Sequence, residues 1–124
     1  MLKLRNREEE DALYLCSKNG HHVNVQVLID NGADVNVLGS HYGSAIQVAS
    51  SGGHEKVVQM LLDNGADVNA AGGRYGSALQ AASSRGHEKV VQMLLDKGAD
   101  GNAVGGEYSS ALHTALSRGH EKVV

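Results

Sequence analysis

Histidine followed by glutamate is the first combination in this chain whose residue types and spacing could carry chemistry. His54-Glu55 and His87-Glu88 both match the opening of H-E-x-x-H, a motif in which two histidines on one helix face bind zinc and the glutamate acts as a base. The second histidine must follow four residues after the first. Val58 and Val91 occupy those positions, so neither pair can form this zinc site.

Histidine also recurs along the chain at a fixed interval, at His21, His54, His87 and His120. If each belongs to one of several stacked helical units, neighbouring histidines lie about 8–10 Å apart. Zinc requires nitrogen ligands at about 2.1 Å from one centre. We therefore expect no metal site, and we expect each histidine to bond nearby backbone at the start of a helix.

The remaining reactive side chains also have structural interpretations. Cys16 aligns with Ala49 and Ala82 of later copies, which predicts a small buried hydrophobic residue rather than a nucleophile. The Gly-rich stretch AAGGRYG lacks the G-x-x-x-x-G-K-[ST] pattern of a phosphate loop. Three recurring aspartates are expected to cap turns: Asp34, Asp67 and Asp100. We expect no enzyme activity and no cofactor.

These residues recur because the chain consists of repeats. Residues 53–70 and 86–103 differ at two of eighteen positions, and the register continues in both directions with a period of 33 residues. Residues 11–36 form a divergent copy, and residues 109–124 begin a further one. A fixed period of this length is typical of solenoids, in which each repeat is one supersecondary unit.

Each copy begins with a helix start signal. Ser44 precedes Gln47 by three residues, and Ser77 precedes Gln80 in the same way, which is the S-x-x-Q form of the capping box. An Ala-rich helix of about two turns is expected to follow.

A second helix is predicted after each Gly-His pair. In one copy it carries Glu55 in its first turn, where the helix dipole favours an acid. Val57, Val58, Leu61 and Leu62 fall on one face at helical spacing, and Asn64-Gly65 ends the helix. Residues 66–76 are too rich in glycine for a helix and predict an extended finger with a tight turn.

Such a unit cannot be stable alone, because isolated helices shorter than about 12–15 residues are marginal in water. Stacking lets each unit cover the apolar face of the next, and small Ala side chains allow the close approach. The sequence therefore predicts an all-α solenoid of stacked helix-turn-helix units joined by β-hairpin-like fingers.

Composition narrows the classes of function. The 124 residues carry a net charge of −3 with both signs mixed, so a basic stripe for nucleic acid is absent from the sequence. No apolar stretch approaches the length of about 18 residues that spans a membrane. The single cysteine fits a reducing compartment, and we expect a cytoplasmic protein.

With its 33-residue period, its turn and its two helices, the chain resembles the ankyrin-repeat family. The phrases GHEKVVQMLLDNGADVNA and GHEKVVQMLLDKGADGNA carry the resemblance. Ser77-Ala78-Leu79-Gln80 and its equivalents stand where the family has T-P-L-H, and the Y-G-S-A-L-Q variant is similar to arrays of large fungal signalling proteins.

The resemblance implies one ankyrin-repeat domain over residues 1–124. We place an N-terminal cap at 1–9, repeats at about 10–42, 43–75 and 76–108, and a partial repeat at 109–124. The partial repeat ends without a polar cap, which predicts possible self-association through the C-terminal end.

Ankyrin repeats imply a non-catalytic module that binds a protein partner through finger tips and inner helices, which form a concave face. The alternative is a structural spacer or regulatory arm of a larger signalling protein. Finger-tip candidates for partner contact are Leu38, Ser40, His41, Ala71, Gly73, Arg74, Val104, Gly106 and Glu107, and inner-wall candidates are Ser51, Ser84, Arg85, Ser117 and Arg118. Three tyrosines either anchor a partner or pack over the next turn: Tyr42, Tyr75 and Tyr108.

Overall fold

Six helices and one short hairpin make up the part of the chain that the structure describes. The structure is a computed structural model and describes residues 7–36, 43–72 and 76–99. In chain order the elements are α1 (Arg7–Lys18), α2 (His22–Asp30), α3 (Ala45–Ser51), α4 (Glu55–Asp63), β1 (Ala71–Gly72), β2 (Gly76–Ser77), α5 (Ala78–Ser84) and α6 (Glu88–Asp96).

The helices form three pairs, which we call unit 1 (α1 and α2), unit 2 (α3 and α4) and unit 3 (α5 and α6). Within each unit the two helices pack against each other. Between units, α1, α3 and α5 pack side by side as an inner layer, and α2, α4 and α6 form an outer layer. This arrangement confirms the predicted solenoid of stacked helix pairs.

Helices α3 and α5 start directly after the predicted capping residues, Ser44 and Ser77. In unit 2 the backbone N–H of Ser44 donates to Gln47 Oε1. In unit 3 the backbone N–H of Gln80 donates to Ser77 Oγ at 3.1 Å. The glutamine bond of the S-x-x-Q box is thus seen in unit 2 and the serine bond in unit 3. Each satisfies an amide group that has no partner inside the helix.

The outer helices bury the predicted apolar face and end at glycine. Val57, Val58 and Leu61 of α4 are fully buried, while Leu62 is half-buried beside them. After α4 the chain turns at Gly65, whose φ of 87° lies in the left-handed region that glycine adopts without a steric penalty.

A short antiparallel hairpin joins unit 2 to unit 3, as the finger prediction requires. Ala71 lies opposite Ser77 and Gly72 lies opposite Gly76. Gln47 fixes both strands, because its Nε2 donates to the carbonyl oxygens of Gly72 at 3.1 Å and Gly76 at 3.2 Å. The glutamine that caps α3 therefore also positions the finger that leads to the next unit.

The core lies between the two layers and is thin. Alanines supply much of the inner layer, since Ala45, Ala49, Ala78 and Ala82 are all buried. Branched side chains of the outer helices fill the space that these alanines leave. The small alanines let the short inner helices approach closely, while Ile46 and Leu79 of the same layer add larger side chains to the core.

The first helix differs from its counterparts in length. Helix α1 has 12 residues, whereas α3 and α5 have 7. Its extra residues begin at Arg7, so one continuous helix crosses the proposed boundary between the cap (1–9) and the first repeat.

Three equivalent serines in the inner layer lead to a stability prediction. The hydroxyls of Ser17, Ser50 and Ser83 are buried, and they have no hydrogen-bond partner in the described parts of the chain. A buried hydroxyl without a partner costs about 1–3 kcal/mol. We expect Ser50→Ala and Ser83→Ala each to raise the free energy of unfolding by about 1 kcal/mol.

Urea unfolding of the variants measures this gain. Ser77→Ala is the matched control, because it removes the cap of α5 and should lower the free energy of unfolding by about 1 kcal/mol. A loss of stability in Ser50→Ala would contradict the prediction.

Candidate protein-interaction surface

Four of the predicted contact residues lie within the described structure: Ser51, Ala71, Ser84 and Arg85. The other predicted contact residues lie outside the described residues; they are Leu38, Ser40, His41, Gly73, Arg74, Val104, Gly106, Glu107, Ser117 and Arg118. The three tyrosines also lie outside them. Within the described residues, the candidate surface therefore consists of the inner-helix ends and the base of the fingers.

Two of the predicted inner-wall residues are buried. Ser51 is 6% exposed and Ser84 is 1% exposed. The hydroxyl of Ser84 donates to the carbonyl oxygen of Ala81 at 3.0 Å, inside its own helix. Both serines are therefore buried in the described structure, whereas the prediction placed them on the wall that faces a partner.

Other residues at the same helix ends are exposed. They are Lys18 at the end of α1, Asn19 directly after it, Gly52 after α3 and Arg85 after α5. In the hairpin, Ala71 and Gly72 of β1 are exposed as well. We call the four helix-end residues the inner-end row; it brings a lysine and an arginine to the same edge of the inner layer.

Recurring histidines hold the inner-end row in place. His54 Nε2 lies 2.8 Å from the carbonyl oxygen of Lys18, and His87 Nε2 lies 3.0 Å from that of Ser51. A carbonyl only accepts, so each ring donates from Nε2. The predicted bond to backbone is thus confirmed for these two histidines, and in both cases the acceptor belongs to the preceding unit.

Glycine makes room for these rings. A Cβ atom on Gly20 would lie 2.5 Å from the ring of His54, and one on Gly53 would lie 2.6 Å from that of His87. The glycine and the histidine of each Gly-His pair therefore belong to different contacts between units. The glycine packs against the histidine ring of the next unit, and the histidine bonds the backbone of the preceding unit. Sequence reasoning missed this, although the invariant 33-residue interval is the signal that could have indicated it.

Asparagines connect the bases of successive fingers. Asn36 Nδ2 donates to the carbonyl oxygen of Gly65 at 3.0 Å, and its Oδ1 accepts from the backbone N–H of Asp67 at 2.7 Å. Asn69 repeats the first bond, to the carbonyl oxygen of Gly98 at 3.2 Å. Sequence reasoning assigned no role to these asparagines.

The turn-capping role of two aspartates is confirmed. Asp34 Oδ1 accepts from the backbone N–H of Asn36 at 2.9 Å, and Asp67 Oδ1 accepts from that of Asn69 at 3.0 Å. Asp100 lies outside the described residues. Each carboxylate thereby holds an asparagine in position to bond the next unit.

Cys16 is a free thiol that packs against the core. It is half-buried, whereas Ala49 and Ala82 at the equivalent positions are fully buried. The hydrophobic role predicted for Cys16 agrees with this packing, but complete burial does not apply in unit 1.

Metal sites and membrane spans are both absent from the described residues. No group of three or more His, Cys, Asp or Glu side chains within them is arranged to hold a metal ion. No helix in this part of the chain is long and apolar enough to cross a membrane.

Comparison with known families agrees with the stacked units. A family model described as ankyrin repeats (3 copies) matches residues 2–72, and a second, described as ankyrin repeats (many copies), matches residues 78–124. No curated protein matches the sequence. Since the two matches together reach from residue 2 to residue 124, and the helix pairs repeat as the matches require, the chain belongs to the ankyrin-repeat family.

Proposed function

We propose that the chain is a non-catalytic module that binds a protein partner through its fingers and inner-end row. Ankyrin repeats are generally protein–protein interaction modules. One observation supports this face in particular: its exposed residues differ between units, while the contacts that join the units beneath them are the same. Exposed residues that differ between units, on contacts between units that stay the same, are suited to recognising one partner.

The exposed helix ends favour a partner of a certain charge. Lys18 and Arg85 place cations on the inner-end row, and the equivalent places in unit 2 are the uncharged Ser51 and Gly52. On the opposite layer, each outer helix ends in an exposed aspartate: Asp30, Asp63 and Asp96. A partner segment that carries carboxylates would be attracted to the inner-end row and repelled from the outer-helix ends.

Charge reversal on the inner-end row tests this proposal. We expect Arg85→Glu to raise the Kd for a captured partner by about tenfold, because an attractive rim charge becomes repulsive. The partner is first captured from cell extract with cross-linking and identified by mass spectrometry. Its Kd is then measured with the purified protein at two salt concentrations, since screening should reduce the difference.

Lys97→Glu is the matched control, because it makes the same reversal at an exposed site that follows outer helix α6. An equal loss of affinity in both variants would contradict the assignment of the face. If no protein is captured, or no captured protein responds to either variant, the result favours the spacer or regulatory arm over a binding module.

We also propose the cytoplasm as the location of the protein. The free thiol of Cys16 agrees with a reducing compartment, where thiols are kept from forming disulfides. Self-association through the C-terminal end concerns residues outside the described ranges and stays a prediction.

A further inference from the structure

The same heptapeptide, Asp-Asn-Gly-Ala-Asp-Val-Asn, occurs at residues 30–36 and 63–69 and ends an outer helix both times. Within it, Asn31 precedes Gly32 and Asn64 precedes Gly65. An asparagine followed by glycine is prone to lose its side-chain amide, since no side chain on the glycine hinders attack by its backbone nitrogen. Both copies have the same intrinsic reactivity because their local sequences are identical.

In the folded protein both asparagines are exposed but held in an unreactive geometry. Asn31 Nδ2 donates to the carbonyl oxygen of Val27 at 2.7 Å, and Asn64 Nδ2 donates to that of Met60 at 2.8 Å. Their ψ angles of 12° and 21° belong to a helix end. Ring closure must rotate this angle and release the side-chain bond, so the reaction proceeds through local opening of the turn.

The two turns differ in what holds them closed. In the second, Asn36 of unit 1 bonds both the carbonyl oxygen of Gly65, at 3.0 Å, and the backbone N–H of Asp67, at 2.7 Å. We call this pair of bonds the Asn36 clamp. Opening of the second turn therefore also requires separation from the neighbouring unit.

The first turn has no such clamp from another unit within residues 7–36, 43–72 and 76–99. No side chain of another unit there bonds the backbone of Gly32 or Asp34. The residue one period before Asn36 is Lys3. An ammonium group donates but cannot accept, so lysine cannot reproduce the bond that Asn36 Oδ1 receives.

We propose that Asn31 is a site of spontaneous deamidation in the folded protein and that the Asn36 clamp protects Asn64. The backbone nitrogen of Gly32 forms a bond to Cγ of Asn31 and loses its proton, and the side-chain nitrogen leaves as ammonia. Water then opens the cyclic imide at either carbonyl, which gives aspartate or isoaspartate. The net reaction consumes one water and releases one ammonia, with no redox change.

The product weakens unit 1 at a defined point. A carboxylate in place of the amide cannot donate to the carbonyl oxygen of Val27. Its negative charge also lies at the C-terminal end of α2, where the helix dipole favours cations. In unit 3 the equivalent position is Lys97, which suits that dipole and cannot deamidate.

Peptide mapping of the intact chain after incubation at neutral pH and 37 °C provides the test, with mass spectrometry to quantify conversion of amide to acid at both sites. In denaturant, we expect equal rates at Asn31 and Asn64. In the folded protein, we expect deamidation at Asn31 to be several-fold faster than at Asn64.

Removal of the Asn36 clamp should make Asn64, in the second turn, prone to deamidation as well. For each asparagine, the deamidation rate in the folded variant is divided by its rate in the same variant in denaturant. In Asn36→Ala, we expect this ratio at Asn64 to rise to the ratio at Asn31. Asn69→Ala is the matched control, because Asn69 makes the equivalent bond to Gly98, which follows Lys97. This control should leave the rate at Asn64 unchanged.

Three results would each overturn the proposal. One is an equal rate at the two asparagines in the folded protein. Another is the absence of deamidation at Asn31 during the time in which the denatured chain is converted. The third is equal acceleration at Asn64 by Asn36→Ala and Asn69→Ala, which would show general loosening rather than loss of the clamp.

Discussion

Truncation of Leu61 to alanine is expected to lower the free energy of unfolding by about 2–5 kcal/mol, the usual range for a buried leucine. Leu61 is 0% exposed and lies in the contiguous core between the two layers. The inner wall of this core combines short alanines with Ile46 and Leu79, and such a close-packed core is expected to relax only in part around the cavity. The loss should therefore lie well above that of an exposed leucine.

Denaturant unfolding, followed by circular dichroism, measures this loss. Leu95→Ala is the matched control, because Leu95 lies one helical position after Leu94 in α6 and is 39% exposed. We expect the control to lose about 1 kcal/mol or less. A loss below about 1 kcal/mol for Leu61→Ala would show that Leu61 does not hold the core together.

The second large effect is expected for Gly53→Ala, with a loss of about 2–4 kcal/mol in the free energy of unfolding. The φ of Gly53 is 71°, where an L-residue costs about 1–2 kcal/mol. The new methyl group would also lie 2.6 Å from the ring of His87. The ring must move, and its bond to the carbonyl oxygen of Ser51 is strained or lost.

Two further variants separate the backbone cost from the steric cost. Gly65→Ala has the same backbone problem, at a φ of 87°, but its Cβ would have no atom within 4 Å. We expect Gly65→Ala to lower the free energy of unfolding by about 1–2 kcal/mol, the cost of the left-handed backbone conformation alone. Combining Gly53→Ala with His87→Ala should cost less than the sum of the single losses, and an additive result would contradict a direct contact between them.

Most of the fold follows from local signals in the sequence. The serine and glutamine of the cap, the apolar spacing of α4 and the glycine after it each act within a few residues. Because the repeats are similar in sequence, the helices predicted for one copy are expected at the equivalent residues of the next. The finger after Ala70 follows from the same logic, as its glycines exclude a helix.

Contacts between units were harder to predict because they join residues about 30 positions apart. The side chains of His54 and Asn36 bond residues of a neighbouring unit within the described structure, so their roles depend on how closely the units approach. The same holds for Ser51, which looks exposed at the end of a short helix. In the structure it is buried, and its carbonyl oxygen bonds His87 of the next unit.

The histidine bonds between units have one property that bears on how such an array can evolve. In both, the acceptor is a main-chain oxygen, once of Lys18 and once of Ser51. A peptide carbonyl is supplied by every amino acid, so substitutions at these positions leave the acceptor in place. The side chains at the ends of the inner helices can therefore change while adjacent units keep the same linkage.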